Sequence, residues 1–231
     1  MGAIITRRVM ATMIETKQLG RQDEDGNWLV RNIDLRVSAS DRLAIVGSSG
    51  SGKTVLLRAI ARLDPISEGQ ILFRGQQFSG TSIPSYRTEV VYLQQQASLF
   101  EGTVEANLRK PFELAIHCDR KFNRDRVLAW LEVLGRGPEF LDKDQQNLSG
   151  GESQITALLR AMQLEPKVFL LDEPTSALDE ASTTAVETLL NQWFDDTPDA
   201  AFLWITHSDK QAERMCDRSL QMTDGQLKGS E

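Results

Sequence analysis

Gly47-Ser48-Ser49-Gly50-Ser51-Gly52-Lys53-Thr54 sets glycines, small hydroxyl side chains and a lysine into one short stretch. Backbone N–H groups can wrap phosphate oxygens only where no Cβ obstructs the approach, so this composition suits a phosphate cradle. The stretch follows the apolar run Arg42–Val46 and opens a helical pattern from about Lys53 to Arg62. That order, strand then loop then helix, would add the helix N-terminal dipole to the same anion. Lys53 is then placed to reach the β- and γ-phosphates of a nucleoside triphosphate, and Thr54 to ligate Mg²⁺. The competing reading is an accidental glycine loop. With glycine near 7% of average usage, four specified positions recur by chance on the order of once per hundred chains of this length.

A second constellation lies far downstream. Val168–Leu171 is an apolar strand that ends in Asp172 and runs straight into Glu173-Pro174. A carboxylate at a strand end opposite the loop suits coordination of Mg²⁺, and Glu173 would polarise an attacking water as general base. Alone, this acidic pair would read as a solvated turn. Leu148-Ser149-Gly150-Gly151-Glu152 precedes it by about twenty residues, and that pairing changes the reading.

On these motifs the chain resembles the ATP-binding subunits of ABC (ATP-binding cassette) proteins, over nearly its whole length. The resemblance implies ATP and Mg²⁺ as ligands. Ser149, Gly150 and Gly151 look like the signature motif, which in the family sits at a helix N-terminus and contacts the γ-phosphate held by the other protomer. The resemblance therefore implies a homodimer formed on ATP binding. Gln95, within Val91-Tyr-Leu-Gln-Gln-Gln-Ala-Ser-Leu-Phe100, matches the family's Mg²⁺-sensing glutamine, with Gln94 and Gln96 leaving the register open by one. Ser176–Asp179 resembles the loop that crosses the dimer interface. His207 resembles the switch histidine, and its place just past the strand Ala201–Thr206 agrees, since ligands bind beyond the carboxyl ends of strands in open α/β sheets. His117 reads as an ordinary structural or solvated histidine.

Two departures stand out. The family's signature helix continues with a Gln-Arg pair, whereas here Gln154 is followed by Ile155. The family also places an aromatic ring upstream of the glycine loop to stack on adenine, and Gly20–Gly26 holds none. Trp28 is the only nearby aromatic. Stacking on the base and core packing beside Leu29 both remain open for it.

The elements that must position these residues follow from pattern. Ile33–Val37 alternates like an antiparallel or edge strand. Ile71–Phe73, Val90–Leu93, Val168–Leu171 and Ala201–Thr206 read as further strands, and Ala181–Phe194 as a helix between the last two. Strand signals stop from about Glu101 to Leu164. There Phe122–Leu134 has helical spacing and a second helix should begin near Gly150. Asp224-Gly225 marks a late turn. The fold expected is α/β: a P-loop NTPase core with a mostly parallel sheet, an antiparallel β region and an inserted α-helical subdomain. Residues 1–231 form a single domain. Its core spans 13–100 and 165–231, its helical part spans 101–164 with the signature motif, and 1–12 is either an extension or a misassigned start.

Composition bounds the function. The 231 residues are 26% charged and 40% apolar, ordinary for a soluble domain with a sizeable core. A net charge of −7 disfavours nonspecific binding to nucleic acid or anionic lipid. No apolar run approaches the roughly twenty residues a bilayer requires. The N-terminus lacks a signal-peptide pattern. Cys118 and Cys216 lack metal-ligand spacing and fit a reducing, cytosolic compartment. The chain would then sit on the inner face of the cell membrane only through a partner, a separate transmembrane permease subunit. Leu99–Leu108, Leu170–Glu180 and Leu203–His207 are similar to a small bacterial group linked to iron export, whose plant relatives are associated with nucleotide-sugar transport. A soluble ABC ATPase of the iron–sulfur assembly type is the alternative. A degenerate, non-hydrolysing module conflicts with Lys53, Asp172, Glu173 and His207 occurring together.

Overall fold

The computed structural model describes residues 11–78 and 80–228. The expected extension therefore lies largely outside the described residues, although Thr12 already belongs to the first strand. The chain opens with β1 (Thr12–Gln22), β2 (Trp28–Ser38), β3 (Arg42–Val46) and α1 (Lys53–Ile60), followed by β4 (Glu68–Phe73), β5 (Gln76–Gln77), α2 (Ile83–Glu89) and β6 (Val90–Leu93). Helices then dominate: α3 (Val104–Arg109), α4 (Arg124–Val133) and α5 (Gly150–Met162). The chain closes with β7 (Val168–Asp172), α6 (Glu180–Asp195), β8 (Ala201–Ile205), α7 (Asp209–Met215), β9 (Arg218–Thr223) and β10 (Gln226–Lys228).

Two sheets result. The first is antiparallel, in the order β2-β1-β4-β5; the second runs β10-β9-β3-β8-β7-β6 and is parallel except at β10. Every residue of β7 and β8 is buried, as expected of central parallel strands covered on both faces. Alternate residues serve different layers. Phe169, Leu171, Phe202 and Trp204 pack with α4, α5 and α6, while Val168, Leu170, Leu203 and Ile205 pack with α1 and the antiparallel sheet. The six-stranded sheet is thus a partition between two apolar cores, with polar strand ends emerging along one edge.

Local chemistry sets the helix limits. The Asn123 side chain caps α4 by accepting from the Arg126 amide, which starts the helix slightly after the periodic pattern does. Asp179 caps α6 in the same way through the Ser182 amide, 2.7 Å away. Helix α1 stops at Ile60, before the expected Arg62, because Arg62 adopts a left-handed conformation with φ 57°. Asp224 and Gly225, both at positive φ, form the tight hairpin turn between β9 and β10. No helix among the described residues is long and apolar enough to cross a membrane.

Candidate functional site

The glycine loop leaves β3 and feeds α1. Gly47 has φ 151°, and a Cβ there would lie 2.3 Å from the Met222 carbonyl oxygen. Gly52, at φ 102°, would carry its Cβ 2.9 Å from the Leu29 carbonyl oxygen. Both positions therefore exclude any larger residue, on conformation and on space. Within the loop, Lys53 Nζ donates to the carbonyls of Gly47 and Ser48 at 2.8 Å each. Burial lowers the Lys53 pKa, with the Glu173 and Asp172 carboxylates opposing. Ser51 Oγ is buried without a hydrogen-bond partner, and the first turn of α1 holds no acidic residue to cancel its dipole.

Ser49, Gly50, Gly52, Lys53, Thr54 and Val55 line a cleft of about 420 Å³ together with Leu29, Gln95, Glu173 and His207. Thr54 Oγ1 donates to Asp172 Oδ1 at 3.2 Å, which puts a hydroxyl and a carboxylate side by side in the loop's mouth. These are hard oxygen donors of the kind Mg²⁺ takes alongside phosphate oxygens and waters. Among the described residues no cluster of three His, Cys, Asp or Glu could hold a metal by itself. The loop amides, the orphaned Ser51 hydroxyl, Lys53 and the Thr54–Asp172 pair fit a nucleoside triphosphate with its Mg²⁺.

Asp172 is fully buried at the end of β7. Burial raises its pKa, while hydrogen bonds from Tyr92 and Thr54 counter the shift. The Tyr92 hydroxyl donates to Asp172 Oδ2 at 2.8 Å. Sequence reading passed over this tyrosine; the available signal was an aromatic with a polar tip near the end of β6, the strand paired with β7. Glu173 follows in a left-handed conformation with φ 47°. Its carboxylate is gripped from both sides: Gln95 Nε2 donates to Oε2 at 2.9 Å, and His207 Nε2 lies 2.8 Å from Oε1. The structure places Gln95 at this carboxylate, whereas Gln94 lines a different groove. His117 is buried in a short turn of the helical region, and burial followed by the Arg120 charge lowers its pKa.

Ser149, Gly150 and Gly151 do not line this cleft. Ser149 caps α5 in a reciprocal box: its Oγ accepts from the Glu152 amide and its own amide donates to Glu152 Oε2. Lys143 and Arg136 also pair with Glu152. The Lys143 contact, before the Ser149 amide, holds that carboxyl below the usual range. A Cβ on Gly151 would meet the Ala177 carbonyl oxygen and Leu178 Cδ2, each at 3.0 Å, so a glycine there lets Ser176–Asp179 lie close against α5. Ile155, standing where an arginine is usual, is buried in the helical core. Trp28 is not in the core, contrary to one sequence expectation. It is 37% exposed and lies over Gly20, where a Cβ would sit 2.7 Å from its Cζ3. At the start of β2 it is Leu29, not Trp28, that lines the cleft.

Comparison with known proteins agrees with this arrangement. Residues 30–176 match the family model described as ABC transporter. The chain is 35% identical to the probable iron export ATP-binding protein FetA of Escherichia coli K12, over 82% of either protein. The chain belongs to the ABC transporter family. As an ABC ATP-binding chain it is also 34% identical to STAR1 of Oryza sativa subsp. japonica, over 85% of its own length and 56% of that protein. It is 35% identical to the molybdenum import ATP-binding protein ModC of Methylococcus capsulatus, over 85% of its length and 54% of ModC. The chain thus spans just over half of those two relatives. Its fold superposes on the dimeric post-hydrolysis structure of the ATP-binding cassette MJ0796 bound to ADP and Pi. There the TM-score is 0.83 at 24% identity, covering 95% of this chain and 98% of that one. The α/β P-loop architecture with its antiparallel sheet is accordingly that of an ABC ATPase cassette.

Proposed function

We propose that this chain hydrolyses ATP in a head-to-tail homodimer and drives a separate membrane permease subunit, on whose inner-face side it docks. The observation that carries the ATPase reading is the Glu173 carboxylate, held between Gln95 and His207 at the mouth of the glycine-loop cleft. The loop amides and Lys53 would hold the β- and γ-phosphates, and Thr54, Asp172 and Gln95 would hold Mg²⁺, which supplies charge neutralisation on the phosphate oxygens when bound. Glu173 takes the proton of the attacking water as the water oxygen bonds to the γ-phosphorus and ADP leaves. Gln95 and His207 fix the carboxylate so that its oxygens face the cleft. Ser149 and the α5 amides lie outside their own cleft, which suits service to the nucleotide of a second copy.

Docking on the permease is supported by a second groove of about 300 Å³, lined by Leu63, Val91, Leu93, Gln94, Ser98 and Arg160 among others. Phe100 stands beside it, 52% exposed, with its ring 5.4 Å from the Arg160 guanidinium carbon. Gln95 joins this groove to the catalytic carboxylate through one residue of chain, so motion can pass between them. The chain is expected to sediment with membranes only when the permease that copurifies with it is coexpressed. Phe100→Asp should release it while basal ATPase activity stays within about twofold, because a charge at the groove is costly only against an apolar partner. Membrane association unchanged by Phe100→Asp, or a purely soluble partner, overturns the docking reading.

For the cargo, the proposal is export of iron or a related metal. It is supported by the likeness to FetA, which extends over most of both proteins. The match to a molybdenum import protein is equal in identity, 35% in each case, so the test must read both metal and direction. Deleting the ATPase–permease pair is expected to raise cellular iron under iron loading. Unchanged or lowered iron contradicts export and leaves the ATPase assignment standing.

A further inference from the structure

Gln154 is 2% exposed, and its amide is used on both sides. Nε2 donates to the Glu173 carbonyl at 3.0 Å and reaches the Gln95 carbonyl at 3.4 Å, while Oε1 accepts from the Ala177 amide at 3.1 Å. One side chain on α5 therefore ties together the backbone of the general base, the backbone of the glutamine that grips it, and the segment Ser176–Asp179. Glu173 needs such support. A non-glycine residue at positive φ is disfavoured and persists only where surrounding bonds hold it. Its amide donates to Ile205, and its carbonyl accepts from Ser176 as well as from Gln154.

Resting on the ATPase reading above, we propose that Gln154 is a positioning residue that links the Ser149 end of α5 to the general base of the same chain. Ser149 caps the helix that carries Gln154 five residues later, and a helix moves as a rigid rod over so short a span. When Ser149 meets nucleotide held by a second copy, any shift of α5 is delivered through Gln154 to Glu173 and to the Ala177 backbone. Each copy's base is thereby set by the occupancy of the other copy's cleft. Only a side chain with a donor and an acceptor at this reach serves both bonds. Methionine has the length and neither function, and an ionised glutamate keeps the acceptor but cannot donate.

The test compares purified wild type, Gln154→Met and Gln154→Glu. Gln154→Met is expected to lower kcat by about ten- to a hundredfold, the usual cost of misplacing a reacting group by about an ångström. Binding of a fluorescent ATP analogue to the isolated chain should stay within about twofold, because the glycine loop is untouched. Gln154→Glu supplies the decisive readout and stands in if the methionine variant does not fold. A buried glutamate has a raised pKa, and its protonated form can donate to the Glu173 carbonyl as the amide does. Its kcat relative to wild type should therefore climb as pH is lowered from about 8 to about 6. A kcat for Gln154→Met within about twofold of wild type, or a Gln154→Glu variant whose kcat is lowered and stays equally lowered at every pH, overturns the proposal. Failure of the ATPase reading looks different: wild type itself would release no phosphate.

Discussion

Glu173→Gln is expected to lower ATP hydrolysis by about 10²–10⁴-fold, the contribution general base catalysis usually makes. The substitution keeps length and shape. An amide oxygen can still accept from Gln95 Nε2, now 2.9 Å from the carboxylate, so the surrounding geometry has little reason to move. On the proposed mechanism, what disappears is the acceptor for the proton of the attacking water. Nucleotide binding should persist, because the glycine loop, Lys53 and Thr54 are unaltered. A chain that binds ATP and cannot turn it over should accumulate as the closed dimer, visible by sedimentation velocity with ATP and Mg²⁺ present. Turnover close to wild type would remove Glu173 from the catalytic role and leave the proton to another acceptor.

Much of this site is legible from residue types because its chemistry is concentrated in short contiguous runs. Gly47–Thr54 must be contiguous to wrap a phosphate, and Asp172-Glu173 must follow directly on a buried strand. Ser149 at the start of a helix carries a capping signature in its own spacing to Glu152. The parallel strands were plain for a similar reason: β7 and β8 are buried on both faces and read as unbroken apolar runs.

The antiparallel sheet was harder to read. Gln18 and Asn32 both adopt positive φ where the β1–β2 register shifts, so the alternation breaks inside each strand and only Ile33–Val37 shows it cleanly. Helices α2 and α7 have seven residues each, too few to develop an apolar period. Long-range hydrogen bonds leave little or no local trace of their partners. Tyr92 meets Asp172 across neighbouring strands, and Gln154 reaches Gln95, Glu173 and Ala177 only after the chain has closed. The run Gln94-Gln95-Gln96 was ambiguous for the same reason, since only the fold decides which amide faces the carboxylate. Trp28 was open between base stacking and core packing; it lies exposed over Gly20 and outside the cleft lining, a placement set by the folded neighbours and not by local pattern.

Ser149→Arg should eliminate ATP hydrolysis and ATP-dependent dimerisation while leaving nucleotide binding to the isolated chain largely intact. The α5 N-terminus lies outside the cleft of its own chain, so a bulky cation there obstructs only the approach of a second copy's nucleotide. Lys53→Ala acts on the other half of the proposed composite site. It removes a charge-assisted contact worth about 1.5–3 kcal/mol, equivalent to an affinity loss of roughly ten- to over a hundredfold. Mixing the two variants separates the halves. One composite site in the mixed dimer lacks both Lys53 and Ser149, and the other retains both. Partial recovery of nucleotide trapping in the mixture is expected, where neither variant alone traps any. Should Ser149→Arg alone abolish ATP binding, with no recovery on mixing, the motif serves its own cleft and the crossed arrangement is wrong.

The most direct measurement is phosphate release by the purified wild-type chain with ATP and Mg²⁺ as chain concentration is raised. If hydrolysis needs Lys53, Asp172 and Glu173 from one copy and Ser149 from another, activity per chain climbs with concentration and then levels off, and Lys53→Ala shows neither the rise nor the plateau. Phosphate release that is absent at every concentration, or that survives Lys53→Ala undiminished, contradicts the account.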